Sequence, residues 1–154
     1  MLDAGETSPL DADSDDDGLS DGTEVNGTGL LDAYGPTDPL NDDTDGDGIN
    51  DGVEAGVSTD GLNPGASDPA GIPYDGTATG FVGDADPGTT TDPTNPDSDD
   101  DGLPDGVEDV NGDGQTDNTI GDSASSGTGE TDPNNVDTDS DGITDGDEVN
   151  GTGP

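Results

Sequence analysis

Not one side chain in this 154-residue sequence can carry a positive charge: 41 Asp and Glu face no Lys, Arg or His, and the formal net charge is −41. Such a chain cannot form an internal ion pair, and its carboxylates repel one another as it compacts. Apolar residues make up only 21% of it, with two Tyr, one Phe and no Trp, too little to offset ordering entropy through a conventional core. Any folded state must draw positive charge from outside the chain. Metal ions are the obvious supply.

The missing residue types exclude whole classes of function. Without Lys or Arg there is no electrostatic footprint for nucleic acid or for an anionic membrane surface. The lack of His, Cys and Lys removes the usual general bases and strong nucleophiles, so no enzyme is expected. The same absence disfavours zinc and copper, which take His or Cys ligands. A disulfide framework is impossible. No apolar run approaches the ~20 residues of a membrane span, so no direct membrane insertion is expected. The start, Met1-Leu-Asp-Ala4, does not read as a secretory leader.

Four segments align without gaps, at 13–24, 43–54, 97–108 and 137–148, on the consensus D-x-D-x-D-G-[LI]-x-D-G-x-E. Pro9, Pro39, Pro93 and Pro133 each stand four residues before a loop, and Thr7, Thr37, Thr91 and Thr131 stand two residues before those prolines. The loops begin 30, 54 and 40 residues apart, which suggests beads on a variable string and not a solenoid of fixed rise. Residues 5–29 also match residues 129–153 at an offset of 124, as module duplication would produce. The organisation expected is a first unit at 5–29, a second at 35–56, a Gly/Thr/Pro-rich spacer at 57–88, a third unit at 89–120 and a fourth at 129–153. Glycines and prolines in 25–42 leave no room for a flanking helix, and the Asp-Gly-x-Glu at each loop end supports one helical turn at most. The spacer's Leu62, Ile72, Tyr74, Phe81 and Val82 read as a poorly packed linker, or else as a small satellite cluster.

The spacing suits a hard cation that takes six to eight oxygens in irregular geometry, which is the coordination of calcium. Acids at positions 1, 3 and 5 point inward as the chain wraps, Gly at 6 permits the sharp turn, position 7 offers a carbonyl and Glu at 12 closes the cage. The first loop assigns these roles to Asp13, Asp15, Asp17, the Leu19 carbonyl and Glu24, with Asp21 at position 9 acting directly or through water. In the second they fall to Asp43, Asp45, Asp47, Ile49, Asp51 and Glu54. Asp97, Asp99, Asp101, Leu103, Asp105 and Glu108 form the third set, and Asp137, Asp139, Asp141, Ile143, Asp145 and Glu148 the fourth. A solvated acidic tract would not repeat Gly, Leu/Ile and Glu at fixed offsets four times. A weaker fifth loop, 109–120, keeps Asp109, Asn111, Asp113, Gly114 and Asp117 but has polar Gln115 at position 7 and Ile120 where the closing acid belongs.

An EF-hand places its apolar residue at position 8 between two helices. Here Leu or Ile stands at position 7, with Asp at 9 and no flanking helix expected. That arrangement resembles the thrombospondin type 3 repeat, above all its bacterial form, whose Thr-Asp-Pro-x-Asn-x-Asp lead-in is similar to Thr37–Asp43 and Thr91–Asp97. The lead-ins at Ser8/Asp11 and Asn134/Val136 depart from it, and residues 55–90 lie outside it. The resemblance implies a mostly irregular, elongated fold of calcium-wrapped loops with little regular secondary structure. It also implies an extracellular or cell-surface setting and a role as stalk or spacer beside other domains or copies of the same fibre. The cysteines of the animal versions are missing.

Calcium then becomes part of the fold. Each ion removes two charges, so four ions leave −33 and five leave −31, and metal binding is itself the folding reaction. Asn26 and Asn150 each open an Asn-Gly-Thr triplet just after a loop and are candidate glycan acceptors. The leading expectation is a calcium-rigidified stalk or fibre segment carrying surface glycans. The alternatives are an adhesin-like partner-binding module and an acidic calcium buffer or mineral-binding protein, for which plain poly-Asp would serve.

Overall fold

In a computed structural model of the chain, the described residues are 7–9, 12–58, 83–116 and 130–151. They contain four short α-helices and one 3₁₀-helix, with no strand among them: α1 (Asp21–Asn26), η1 (Gly29–Ala33), α2 (Asp51–Glu54), α3 (Asp105–Glu108) and α4 (Asp145–Asn150). Each α-helix begins at position 9 of an acidic loop, and the loops are otherwise turns and bends. Little regular secondary structure was the expectation, and it is what the described residues have. The spacer residues Leu62, Ile72, Tyr74, Phe81 and Val82 lie outside the described residues.

Two expectations need correction. Helices α1 and α4 run six residues, more than one turn, and η1 forms inside the Gly/Pro-rich 25–42 segment. Capping explains the length difference. Ser20 and Thr144 accept from the backbone N–H groups of Thr23 and Asp147, and Gly27 and Gly151 close the other ends in the left-handed conformation. Helices α2 and α3 begin after Asn50 and Pro104, which make no side-chain cap, and stop at four residues.

The second correction concerns the variable string. Consecutive loops touch directly, and three junctions use the same contacts. Thr37, Thr91 and Thr131 donate through their hydroxyls to Oε1 of Glu24, Glu54 and Glu108, at 3.2, 2.9 and 2.7 Å. The backbone N–H groups of Thr37 and Thr91 also donate to the carbonyls of Glu24 and Glu54. On the other side of each junction, the position-10 glycine of the later loop (Gly52, Gly106 or Gly146) packs on the position-5 carbonyl of the earlier one, Asp17, Asp47 or Asp101. Gly106 N–H donates to Asp47 Oδ2 at 2.8 Å, and Gly146 N–H donates to Asp101 Oδ2. Uneven spacing in sequence therefore hides a constant junction in space.

A small apolar core sits at the first junction, where Leu19, Leu31, Ala55 and Val57 pack with half-buried Tyr34 beside them. The Tyr34 hydroxyl and Thr90 Oγ1 lie 2.6 Å apart and link η1 to the segment before the third loop. The position-7 side chains of the first three loops, Leu19, Ile49 and Leu103, are all buried, and Ile143 is half-buried. The apolar residue at that position thus supplies much of what core exists.

Packing at position 10 separates otherwise equivalent glycines. A Cβ on Gly106 would meet the Asp47 carbonyl oxygen at 2.5 Å, whereas on Gly22 the nearest atom is Ser20 Oγ at 4.0 Å. Gly106→Ala is expected to cost about 1–3 kcal/mol by overpacking. Gly22→Ala, in the interior of α1, is expected to gain about 0.5–1 kcal/mol. Urea unfolding under one set of ion conditions checks the pair, and equal effects would contradict the junction geometry.

Candidate metal centre

Each acidic loop is first a hydrogen-bonded cage. The position-1 carboxylate accepts backbone N–H groups from across the turn: Asp13 from Asp16 and Gly18 at 3.0 and 3.1 Å, and Asp43 from Gly46 and Gly48 at 2.7 and 3.1 Å. Asp97 accepts from Gly102 and Asp137 from Gly142, at 3.1 and 2.9 Å. The position-5 carboxylates Asp17, Asp47, Asp101 and Asp141 accept from the N–H of Leu19, Ile49, Leu103 and Ile143, at 2.7–3.0 Å. Position 4 is left-handed throughout, held by Asp16 (φ 66°), Asp100 (63°) and Ser140 (60°) in three loops and by Gly46 (84°) in the second. Short polar side chains tolerate that conformation better than others do.

This bonding leaves certain oxygens with no protein donor. Buried and unpartnered are both oxygens of Asp15, Asp17 Oδ2, Asp45 Oδ2, Asp97 Oδ1, Asp99 Oδ2, and Oε2 of Glu24, Glu54 and Glu108. Asp17, Glu24 and Glu108 are at most 1% exposed. A carboxylate oxygen sealed from water with no donor is severely destabilising unless a cation meets it. The loop carboxylates also converge: Asp13, Asp15 and Asp17 lie with one oxygen each within 4.8 Å of one another, as do Asp43, Asp45 and Asp47, and Asp97, Asp99 and Asp101. The residues fit a bound cation, and the orphaned oxygens are the ones a cation would satisfy.

The position-9 aspartates also build the necks of their own loops. Each closes the loop neck, its N–H donating to the carbonyl just before position 1, at Ala12, Asp42, Pro96 and Val136. Its carboxylate accepts from the position-2 Ser or Thr. Ser14 donates to Asp21, Thr44 to Asp51, Ser98 to Asp105 and Thr138 to Asp145, each through both its backbone N–H and its hydroxyl. Asp51 also joins the preceding loop's Asp17 and Glu24 in a second cluster, and Asp105 likewise joins Asp47 and Glu54, each set within 4.8 Å. Asp17 and Asp47 therefore each belong to two groups, one within the loop and one across the junction.

Sequence reasoning missed the position-2 hydroxyl, though Ser, Thr, Ser and Thr in four aligned loops was signal enough. The same hydroxyl accepts from the lead-in backbone, from Asp38 N–H at Thr44, Asp92 at Ser98 and Asp132 at Thr138, tying each lead-in to its loop neck. The regular lead-in threonines were visible too, but their partners, the closing glutamates, were not. In the fifth loop, Asp109, Asn111, Asp113 and Gln115 lie within the described residues, while Asp117 and Ile120 lie outside them. Glu148, in the fourth loop, is half-buried where its three counterparts are buried.

Burial is the first cause raising these carboxyls, and neighbouring carboxylates add to it. Asp13 and Asp45 are pushed up to about 7, Asp17, Glu24 and Glu108 to about 8, and Glu54 to about 10. The apo site at neutral pH thus holds protons that a cation must displace.

Comparison with protein-family models, with curated proteins and with solved structures finds no match to this chain.

Raised carboxyls fix the sign of the pH dependence. The metal-free fold binds more protons than the unfolded chain, whose carboxyls titrate at around 4. Its stability is therefore fullest below that value and is lost as pH rises toward the folded values of about 7–10. In chelator, melting followed by circular dichroism should weaken from pH 5 to pH 8. Cation affinity should move the opposite way, with protons released on binding, and a metal-free melt insensitive to pH would contradict the buried carboxyls.

Proposed function

We propose that the chain is a calcium-binding structural segment, a stalk or fibre element of an extracellular or cell-surface protein. The observation that carries this is the convergence of carboxylates in groups of three, several of them keeping a buried oxygen without a protein donor, in a chain that has no cation of its own. Calcium suits them better than magnesium because the ligands are all oxygens, held on irregular turns, and magnesium demands near-ideal octahedral geometry and keeps its waters. In the first loop Asp13, Asp15, Asp17 and Glu24 would hold the ion, with the corresponding acids doing so in the other three. The ion supplies the counter-charge that lets the carboxylates stay ionised inside the fold. The likeness to the thrombospondin type 3 pattern points the same way.

The junctions support a rigid segment over an acidic buffer. A buffer needs carboxylates but no Glu–Thr bond or packed glycine between loops, and three junctions have both. Among the described residues no helix is long and apolar enough to cross a membrane. Asn26 and Asn150 are exposed at the ends of α1 and α4, where their Nδ2 groups donate to Gly22 and Gly146 carbonyls at 2.7 and 2.8 Å. A glycan there would leave one N–H on each nitrogen to keep that bond.

Calcium titration tests the proposal. Chemical shifts and circular dichroism should change together, half-complete at roughly 10⁻⁴ to 10⁻³ M, the range of extracellular modules. Magnesium at the same concentrations should not reproduce the change. A spectrum unaltered at about ten times that range sinks the calcium reading. Small-angle scattering of the loaded protein separates a stiff segment from a coil, and a coil-like profile would overturn the stalk.

A further inference from the structure

Asp84 belongs to none of the four acidic loops, yet it is 3% exposed and its Oδ2 is buried with no partner. Its Oδ1 accepts from Asp86 N–H at 2.7 Å. Its backbone is fastened on two sides: Asp84 N–H donates to the Val57 carbonyl at 2.8 Å, and Ala85 N–H to the Asp113 carbonyl at 2.7 Å. Thr89 adds a hydroxyl bond to the Gly114 carbonyl at 3.1 Å. These contacts lay the Asp84 carboxylate against the loop that starts at Asp109. A Cβ on Gly114 would stand 2.5 Å from Asp84 Oδ1 and 2.7 Å from its carboxylate carbon, so only glycine admits the group there. The charges of Asp86, Asp109 and Asp113 bear on it directly.

Through Gln115 the loop keeps the same backbone-to-carboxylate bonds as the other four. Asp109 accepts from Gly112 and Gly114 N–H groups at 2.8 and 2.7 Å, and Asp113 from Gln115 N–H at 3.0 Å. What its sequence lacks is a closing acid, since Ile120 stands at position 12. In the first three loops the closing Glu contributes one buried, unpartnered oxygen, and Asp84 also carries one, while its other oxygen lies against Gly114 of this loop. We propose that Asp84 is the closing acid of a fifth calcium site, completing Asp109, Asn111 and Asp113 from the far side of the long spacer. The proposal rests on the calcium reading of the other loops. The ion would staple Asp84, already bonded through its N–H to the Val57 carbonyl, to the loop that follows the third helix.

Native mass spectrometry at saturating calcium, on the full chain, tests this by counting ions. Asp84→Asn and Asp109→Asn should each lose one ion relative to wild type, and the double variant should lose the same one. Asp86→Asn, at an exposed neighbour, should lose none. An Asp84→Asn chain that keeps the full count while Asp109→Asn loses an ion overturns the role of Asp84. A full count in Asp109→Asn removes the fifth site altogether. Loss of two or more ions from Asp84→Asn would mean collapse of the adjoining Glu54–Thr91 junction, making Asp84 structural and not a ligand. A wild-type chain that takes up no calcium overturns the reading of all the loops, an outcome distinct from the rest.

Discussion

A buried carboxylate oxygen with no donor is the constraint around which the rest of this structure is arranged. Ordinary proteins answer such an oxygen with an Arg, a Lys or a backbone N–H, and this chain has spent its N–H groups on holding the cages open. Asp13 gives both oxygens and Asp17 one to the turn of the loop, so the turn is already shaped, but both oxygens of Asp15, Oε2 of Glu24 and the second oxygen of Asp17 are satisfied by no donor in the chain. Like charges at this range cost far more than exposed ones, because low local dielectric strengthens repulsion. Protonation relieves that cost at low pH, and a divalent cation relieves it at neutral pH.

Apolar packing is subordinate but present. Leu31 is fully buried and Leu19, Ala55 and Val57 gather around it, in a chain whose composition argues against any core. Local order explains how so few residues suffice. Position 7 follows directly on a cage whose backbone is fixed by Asp17, so burying Leu19 adds little further ordering cost. The core and the cage are built on the same turn.

How much of this was legible depended on whether a residue's partner lay in its own loop. Acids at 1, 3 and 5, Gly at 6 and the apolar position 7 act within twelve residues, and their alignment reveals them. Position 9 was only half legible, because Asp51 accepts from Thr44 in its own neck while standing beside Asp17 and Glu24 of the loop before. Thr91 was conspicuous as a regular lead-in, but its partner Glu54 lies 37 residues earlier, a pairing that spacing cannot assign. The six-residue helices were underestimated because Ser20 and Thr144 act as caps, a signal available in the sequence but outweighed by nearby Gly and Pro. Asp84 carried no motif at all and emerges only from where Val57 and Asp113 hold its backbone.

The Glu-to-Thr bond is made at chain separations of 13, 37 and 23 residues with the same two side chains. Closing the longest of these connections instead of the shortest costs only about 0.9 kcal/mol of extra loop entropy. Loop closure therefore puts little pressure on the length of what lies between, and the sequence there is held only where residues such as Leu31 and Val57 pack into the core. The chain behaves like a rail with tolerant sidings, in which novelty accumulates off the line while the line keeps its gauge.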